Sequence, residues 1–338
     1  MSIGIAGFST GVMFAKQANA GTLATSGFML LPAEDTGGLS AGQVYAERNP
    51  SYGMRTQASS MHSRDYTMPG GDMANWAVGI DGSSLALLHM LRMFFQNYSI
   101  ISGTGQIGSH AWEFTPRPQN GDSLSDYDLY TVVNITGLSG NKNEWYRDCM
   151  SMAMAGDWSP GNPLTGKQSI QSMAYSHAGT PSGWGSAADD LKVITAPTLC
   201  TQVTVDGSTY QLYPSAVKWK WTLNAEDIVG ACSDSGRARM TPCHFSGEAT
   251  LTIPRNSDLY AIVETNGDIA GTIALNLRPD GNYTTGAMGT YTGNIRMYGK
   301  FLRSAMPSGP GGDVTDDLVM HVQDVSWLQY SDLGSSAI

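Results

Sequence analysis

Three glycines, Gly103, Gly105 and Gly108, have the spacing in this sequence that comes nearest to a chemical motif. The stretch "GTGQIG" fits the G-x-G-x-x-G pattern of a dinucleotide-binding loop. That chemistry needs a strand before the loop and a helix after it, because the helix N-terminus binds the pyrophosphate. Here a helical pattern precedes the loop and "SHAWEF" follows it. The context favours an ordinary loop, and we expect no cofactor.

The other reactive side chains also lack the spacing that catalysis or metal binding requires. The sequence has no G-x-S-x-G, H-E-x-x-H or P-loop pattern, and its six histidines are scattered. The cysteines, Cys149, Cys200, Cys232 and Cys243, include no C-x-x-C pair, so a zinc site is not expected. Small buried thiols are the favoured interpretation, and a disulfide between the last two is the alternative in an oxidising compartment. We expect neither a metal site nor an enzyme.

The stretch "KWKWT" is the one aromatic pattern that could bind a ligand. Trp219 and Trp221 alternate with Lys218 and Lys220, and exposed aromatic rings on a strand can stack on sugars or bases. The same alternation is typical of a strand with one buried and one solvated face. The net charge of −10 favours that second interpretation and argues against stable nucleic-acid binding, which needs a basic surface. A monomeric β-sandwich module that binds carbohydrate through residues 218–221 remains the alternative function.

The elements that would carry these residues are mostly strands. Alternating runs such as "YTVVNI" and "AVKWKWT" recur after residue 110, and Asp206-Gly207 is a strong hairpin signal. One helix is predicted over about 83–97, from Leu85, Leu88, Leu91 and Phe95 on one face. The fold class we predict is mostly β, a β-sandwich or half-barrel with one flanking helix.

Composition and weak patterning suggest how the chain is divided. Only 14% of the 338 residues are charged, against roughly 25% in ordinary soluble domains, which favours a surface covered by other copies. Residues 1–58 are predicted to be an extended N-terminal arm that contacts other subunits. Residues 59–338 are predicted to be one β domain, with a loop or insertion near 179–190. The candidate interface residues are Phe28, Leu31, Pro32, Tyr45, Tyr52 and Trp184.

The order of these pieces resembles the tail tube, or major tail, proteins of tailed bacteriophages. The start "GVMFAKQANAGTLATSGFMLLPAED" is similar to the opening of that family, as are the strand pair and Leu-rich helix in "DYTMPGGDMANWAVGIDGSSLALLHMLRMFF". The stretch "FSGEATLTIPRNSDLYA" is similar to a late strand and turn of such proteins. The positions that carry the first likeness are Lys16, Gly21, Thr22, Phe28, Leu31 and Pro32.

The resemblance implies a structural role and a set of partners. Six copies would join their sheets edge to edge into a ring, and stacked rings would form a hollow tail tube through which the genome is ejected. Its partners would be other copies of itself, a tape-measure protein, a tail terminator and baseplate or tip proteins. Double-stranded DNA would pass through the lumen without stable binding, and no membrane association is expected. The protein would be made in the host cytoplasm and end in the virion.

Overall fold

The structure is a computed structural model, and the placement of part of the chain is described. The described residues are 11–30, 40–47, 67–79, 84–102, 110–117, 127–138, 140–159, 165–172, 174–182, 195–205, 208–228, 239–254, 269–279, 293–302 and 315–331. They contain one helix, α1 (Ser84–Phe95), and seventeen strands. The prediction of a mostly β chain is therefore confirmed.

The bounds of the strands follow the chain in order. They are β1 (Gly11–Lys16), β2 (Met29–Leu30), β3 (Ser40–Glu47), β4 (Thr67–Gly79), β5 (Tyr98–Ser102), β6 (His110–Phe114), β7 (Tyr130–Ile135), β8 (Asn143–Trp158), β9 (Thr165–Gln171), β10 (Ala174–Ala178), β11 (Thr195–Val205), β12 (Ser208–Leu212), β13 (Ala216–Ile228), β14 (Arg239–Pro254), β15 (Ile269–Pro279), β16 (Gly293–Leu302) and β17 (Thr315–Ser331). All the pairings between them are antiparallel.

Two long strands organise the pairing, because each has different neighbours along its two halves. The first half of β8 pairs with β7 and β10, and its second half pairs with β9 and β13. The first half of β17 pairs with β14 and its second half with β6, while β16 lies along its other edge. The pairing therefore branches at both strands, and separate groups of strands share one continuous hydrogen-bonded network.

The first group, which we call the two-sided sheet, contains β2, β1, β7, the first half of β8, and β10. Val12 and Phe14 of β1 point into the main core, whereas Met13 and Ala15 point into a second cluster on the opposite face. Strand β7 divides its side chains between the same two clusters. A strand that is buried on both faces reads as a continuous apolar run, which explains "VMFA" in β1.

The second group, which we call the broad sheet, has the order β9, β8, β13, β14, β17, β16, β15, β11, β12. Its inner face carries large apolar side chains of the main core, including Trp221, Leu251 and Met320. Its outer face carries mostly polar and small side chains, with Tyr298 and Leu302 of β16 as large exposed exceptions, which fits the period of two in a sheet with one solvated face. The outer face is exposed among the described residues.

The helix lies inside the molecule instead of flanking the sheet. Every residue from Leu87 to Gln96 is buried, including His89 and Arg92. Strands on several sides contact it: Gln168 Nε2 of β9 donates to the carbonyl oxygen of Met90 over 2.8 Å, and rings of β6 and β13 pack against its last turn. The helix was predicted at nearly its observed bounds, but the prediction of a flanking position with one apolar face is wrong.

The structure also differs from the predicted arm over residues 11–30. Strand β1 pairs with β7 along its whole length, from Gly11 opposite Ile135 to Lys16 opposite Tyr130. Four consecutive residues of β1 are buried. Strand β1 therefore belongs to the core of the domain, and Ala24 and Phe28 are also buried, although most of residues 18–27 are exposed. The proposed contacts of residues 1–58 with other copies remain a prediction.

Two further predictions from the sequence concern connections. The hairpin around Asp206-Gly207 agrees with the pairing of β11 with β12, in which Val205 is opposite Ser208; the two turn residues themselves lie outside the described residues. The loop near 179–190 is described as far as Ser182. Strands from before and after that loop pair directly, β8 with β13, so the two halves of the chain share one sheet.

Candidate functional site

The structure places one of the six candidate interface residues in detail. Phe28 is 8% exposed and packs edge-on against Trp145, with ring centroids 5.5 Å apart. Most of its surface is thus already covered by its own chain. Tyr45 lies on β3, of which the backbone alone is described. The other candidates, Leu31, Pro32, Tyr52 and Trp184, lie outside the described residues.

The aromatic strand β13 faces the core. Trp219 is 3% exposed and Trp221 is fully buried, whereas Lys218 and Lys220 are exposed. The Trp221 ring lies 5.5 Å from Trp219 and 6.3 Å from Trp327, by ring centroids. The alternation predicted one buried and one solvated face, and that interpretation is confirmed. A carbohydrate platform at residues 218–221 is wrong, because neither indole is available to a ligand.

Glycines on neighbouring strands make room for these indoles. Gly156 of β8 is paired with Trp219, and a Cβ atom built there would lie 2.0 Å from the indole ring. Gly247 of β14 is paired with Trp221 and meets its ring in the same way, at 2.6 Å. Because real atoms do not approach so closely, both positions exclude larger residues while the rings keep their places. The sequence showed the tryptophans but not their glycine partners.

A polar cluster at the end of the helix joins α1 to the two-sided sheet. Asp128 accepts from Arg92 Nε and forms an ion pair with Lys16 Nζ at 2.9 Å. The guanidinium carbon of Arg92 also lies 4.5 Å above the ring of Tyr98. Gln96, which ends the helix with a φ of 60°, bonds the backbone N–H and C=O of Asp128 through its side-chain amide. These contacts fix the end of the helix.

The chemistry of this cluster is structural, because its groups keep fixed charges. Burial by itself raises the pKa of Asp128, but the hydrogen bonds and charges of Arg92 and Lys16 outweigh it and hold the pKa below its ordinary value. Burial lowers the pKa of Arg92, and its bond to Asp128 more than compensates. Burial raises the pKa of the Tyr130 hydroxyl, which contacts His89 at 3.0 Å. Neither Asp128 nor Tyr130 is poised to transfer a proton near neutral pH.

A second polar cluster stands where β8 changes neighbours. Asp148 is 4% exposed and has a φ of 55°, in the left-handed region that few non-glycine residues adopt. Its Oδ1 accepts from Gln17 Nε2 at 2.9 Å and from the backbone N–H of Gly21 at 2.8 Å. Its own N–H donates to Gln17 Oε1 at 2.7 Å. These bonds hold the strained backbone and anchor residues 17–21 over the two-sided sheet.

One cleft in the described part of the chain is too small for an ordinary ligand. A cleft at the end of α1, between Phe95, Tyr127 and Phe245, has a volume of about 20 Å³, enough for one or two waters. Ligand pockets typically have roughly 300–1,000 Å³. Burial raises the pKa of the Cys149 thiol well above its ordinary value, which keeps this cysteine unreactive. No group of three or more metal-ligating side chains occurs among the described residues.

The outer face of the broad sheet, taken together with β6 beside the end of β17, is balanced in charge. Cross-strand pairing places Lys220 between Ala155 and Glu248, and Lys218 beside Asp157 at 3.9 Å. The described charged residues on this face are five basic and five acidic, so they sum to zero in a chain of net charge −10. They are Lys167, Lys218, Lys220, Arg296, Lys300, Glu113, Asp157, Glu248, Asp317 and Asp324.

Large exposed apolar side chains lie on β5, directly after β12, on β16 (Tyr298 and Leu302) and at Leu138. Ile100 and Ile101 of β5 are 37% and 46% exposed, and Tyr213, directly after β12, is 63% exposed. Each of β5 and β12 pairs with one neighbour among the described residues. The pair of isoleucines was visible in the sequence, but nothing local indicated that the strand carrying them lies at an edge.

Comparison with known proteins adds no assignment. No protein-family model matches the chain, and no curated protein matches it significantly. No helix in the described part of the chain is long and apolar enough to cross a membrane.

Proposed function

We propose that this chain is a structural subunit of a phage tail tube. In this proposal the domain is the β-sandwich or half-barrel of such subunits. Rings of six copies stack into a hollow conduit for genome ejection. The proposal follows from the resemblance in "GVMFAKQANAG" and the strand and helix patterns after it. It makes no use of catalysis, cofactor or metal, and the expected absence of enzymatic activity remains a prediction.

The observation that carries the proposal is the combination of an exposed outer sheet face with two end strands, β5 and β12, that contain neither a charged residue nor a proline. A sheet edge without charged residues or proline is open to pairing with another chain. A ring uses such edges without leaving free ends, because each copy covers the edge of the next. The clusters around Asp128 and Asp148 hold the helix and the two-sided sheet in place, which suits a subunit that must keep its shape in an assembly.

The balanced charge of the outer face fits a surface that DNA passes without binding. Stable binding to a duplex requires basic groups that displace counterions from phosphates. On this face Lys218 and Lys220 have acidic neighbours in Asp157 and Glu248, which offset their attraction for phosphate. Tape-measure, terminator and baseplate or tip proteins complete the proposed set of partners, and the virion tail is the proposed location.

Negative-stain electron microscopy of the purified protein, with sedimentation of the same sample, tests the proposal. We expect rings or hollow tubes with six-fold end views, together with a fast-sedimenting species. The contrary result is a homogeneous monomer over the whole range of protein and salt concentrations, including in the presence of preformed tail tips. Mild proteolysis of the same sample supplies the control that the subunit is folded.

A further inference from the structure

We propose that β5 of one copy pairs with β12 of the next copy and so joins neighbouring subunits. The observation behind this is a run of seven strands in the order β12, β11, β15, β16, β17, β6, β5. Its two end strands each have one neighbour among the described residues. The inference rests on the proposed function, since it names the two surfaces that a ring of copies would use.

Neither end strand carries the features that normally protect a sheet edge. Edge strands usually avoid pairing through charged residues, proline or a bulge. Strand β5 is "YSIIS" and β12 is "STYQL", so both lack charge and proline. The pairing of β5 with β6 and of β12 with β11 is also regular, without a shift in register. Both edges are therefore competent to accept another strand.

The apolar side chains of the two edges match by face. Ile100 is paired with Trp112, so it lies on the inner face of the sheet. On β12, Tyr210 packs against the main core and Leu212 is buried, which places both on that same inner face. Joining the strands would continue the apolar face from Tyr210 to Ile100. In a parallel ladder with Ile100 beside Tyr210, Ile101 would lie beside Gln211 on the outer face.

Length and direction also agree with a head-to-tail contact between copies. Both strands have five residues. Six antiparallel pairings separate β12 from β5 in this run of seven strands, so the two end strands point in the same direction. A second copy, related by rotation about an axis along the strands, would therefore place its β12 parallel to β5 of the first copy. Such a contact is heterologous and closes into a ring when the rotation divides a full turn. Pairing of β5 with β5 of a copy that is turned over would be antiparallel and would give a closed dimer instead.

Charge substitution on β5 tests whether this edge is needed for assembly. The variant carries Ile100→Lys and Ile101→Lys, and the matched control is Leu138→Lys, because Leu138 is 46% exposed and lies outside both end strands. We expect the β5 variant to lose rings in electron microscopy while its thermal unfolding stays close to that of the control, which keeps its rings. Rings formed equally well by both variants would overturn the inference while leaving the proposed function intact.

Cross-linking tests which edge β5 meets. Ile101→Cys and Gln211→Cys are combined in one chain, and each single variant and the wild-type chain are oxidised as controls. We expect a ladder of linked copies from the double variant and none from the controls. A linked dimer from Ile101→Cys alone would show that β5 meets β5, and rings without any linkage would show that other surfaces join the copies; both results overturn the inference. A wild-type chain that never assembles overturns the proposed function as well.

Discussion

In the two-sided sheet, β1 and β7 bury both of their faces, whereas the strands of the broad sheet bury one face and expose the other. Val132 and Val133 are adjacent in β7 and both fully buried, in different clusters. Trp221 and Lys220 are adjacent in β13, and one is buried while the other is exposed. The difference indicates that the two-sided sheet lies in the interior of the domain, while the broad sheet also presents a surface.

The substitution with the largest expected effect tests whether the broad sheet is buried on one face only. We expect Trp221→Ala to lower the free energy of unfolding by about 3–5 kcal/mol, because it removes a buried ring that packs on Trp219, Trp327 and Phe94. The neighbouring Lys220→Ala should change it by no more than about 0.5 kcal/mol. Urea unfolding followed by tryptophan fluorescence and circular dichroism measures both. Similar losses from the two variants would contradict a one-sided sheet.

A smaller effect tests the two-sided sheet in the same way. Val132→Ala and Val133→Ala should each cost about 2 kcal/mol, because each removes methyl groups from a dry cluster, one on either face of β7. Thr250→Ala, on the outer face of β14, is the control and should cost far less. The measurement is again urea unfolding. A large cost for one valine and none for the other would show that β7 has a solvated face.

The smallest effect concerns the polar cluster that joins the helix to the two-sided sheet. The pKa of Asp128 lies below its ordinary value of 3.8 in the folded protein, so its contribution to stability is complete above about pH 4 and is lost as the pH falls through the lowered pKa. We expect Asp128→Asn to flatten the acid part of the curve of unfolding free energy against pH.

The control for this acid dependence is Asp157→Asn. Asp157 is exposed and lies 3.9 Å from Lys218, and exposed ion pairs of this kind contribute little. Thermal unfolding between about pH 2 and pH 7 compares the two variants with the wild-type chain. Equal flattening by both substitutions, or by neither, would contradict the assignment to the Arg92–Asp128–Lys16 cluster.

Local patterns predicted a good part of the fold. The alternation in "KWKWT" distinguished the buried from the exposed side of β13, and the apolar spacing around Leu88 gave the helix within two residues of its observed ends. The short run "GVMFAK" falls within the predicted arm, because six residues with no alternation and many nearby glycines do not distinguish a doubly buried strand from an extended segment. Its partner β7 lies more than a hundred residues later.

The surfaces and clusters were less accessible to such reasoning. Gln17 and Asp148 are 131 residues apart, so no spacing along the chain indicates that they bond. In the sequence, the exposed isoleucines of β5 look the same as a buried apolar pair, because their exposure depends on whether another strand lies beside β5. The balance of charge on the outer face likewise depends on the register of separate strands.

The sequence alone determined that the chain is mostly β, that it contains one early helix, and which side chains of a strand share a face, because propensity and periodicity act between near neighbours. Only the tertiary structure decided that the helix is enclosed, that β1 joins the core, and that β5 and β12 end a run of strands. Those features arise from contacts between distant segments, whose free energy depends on burial and register and not on the local order of residues.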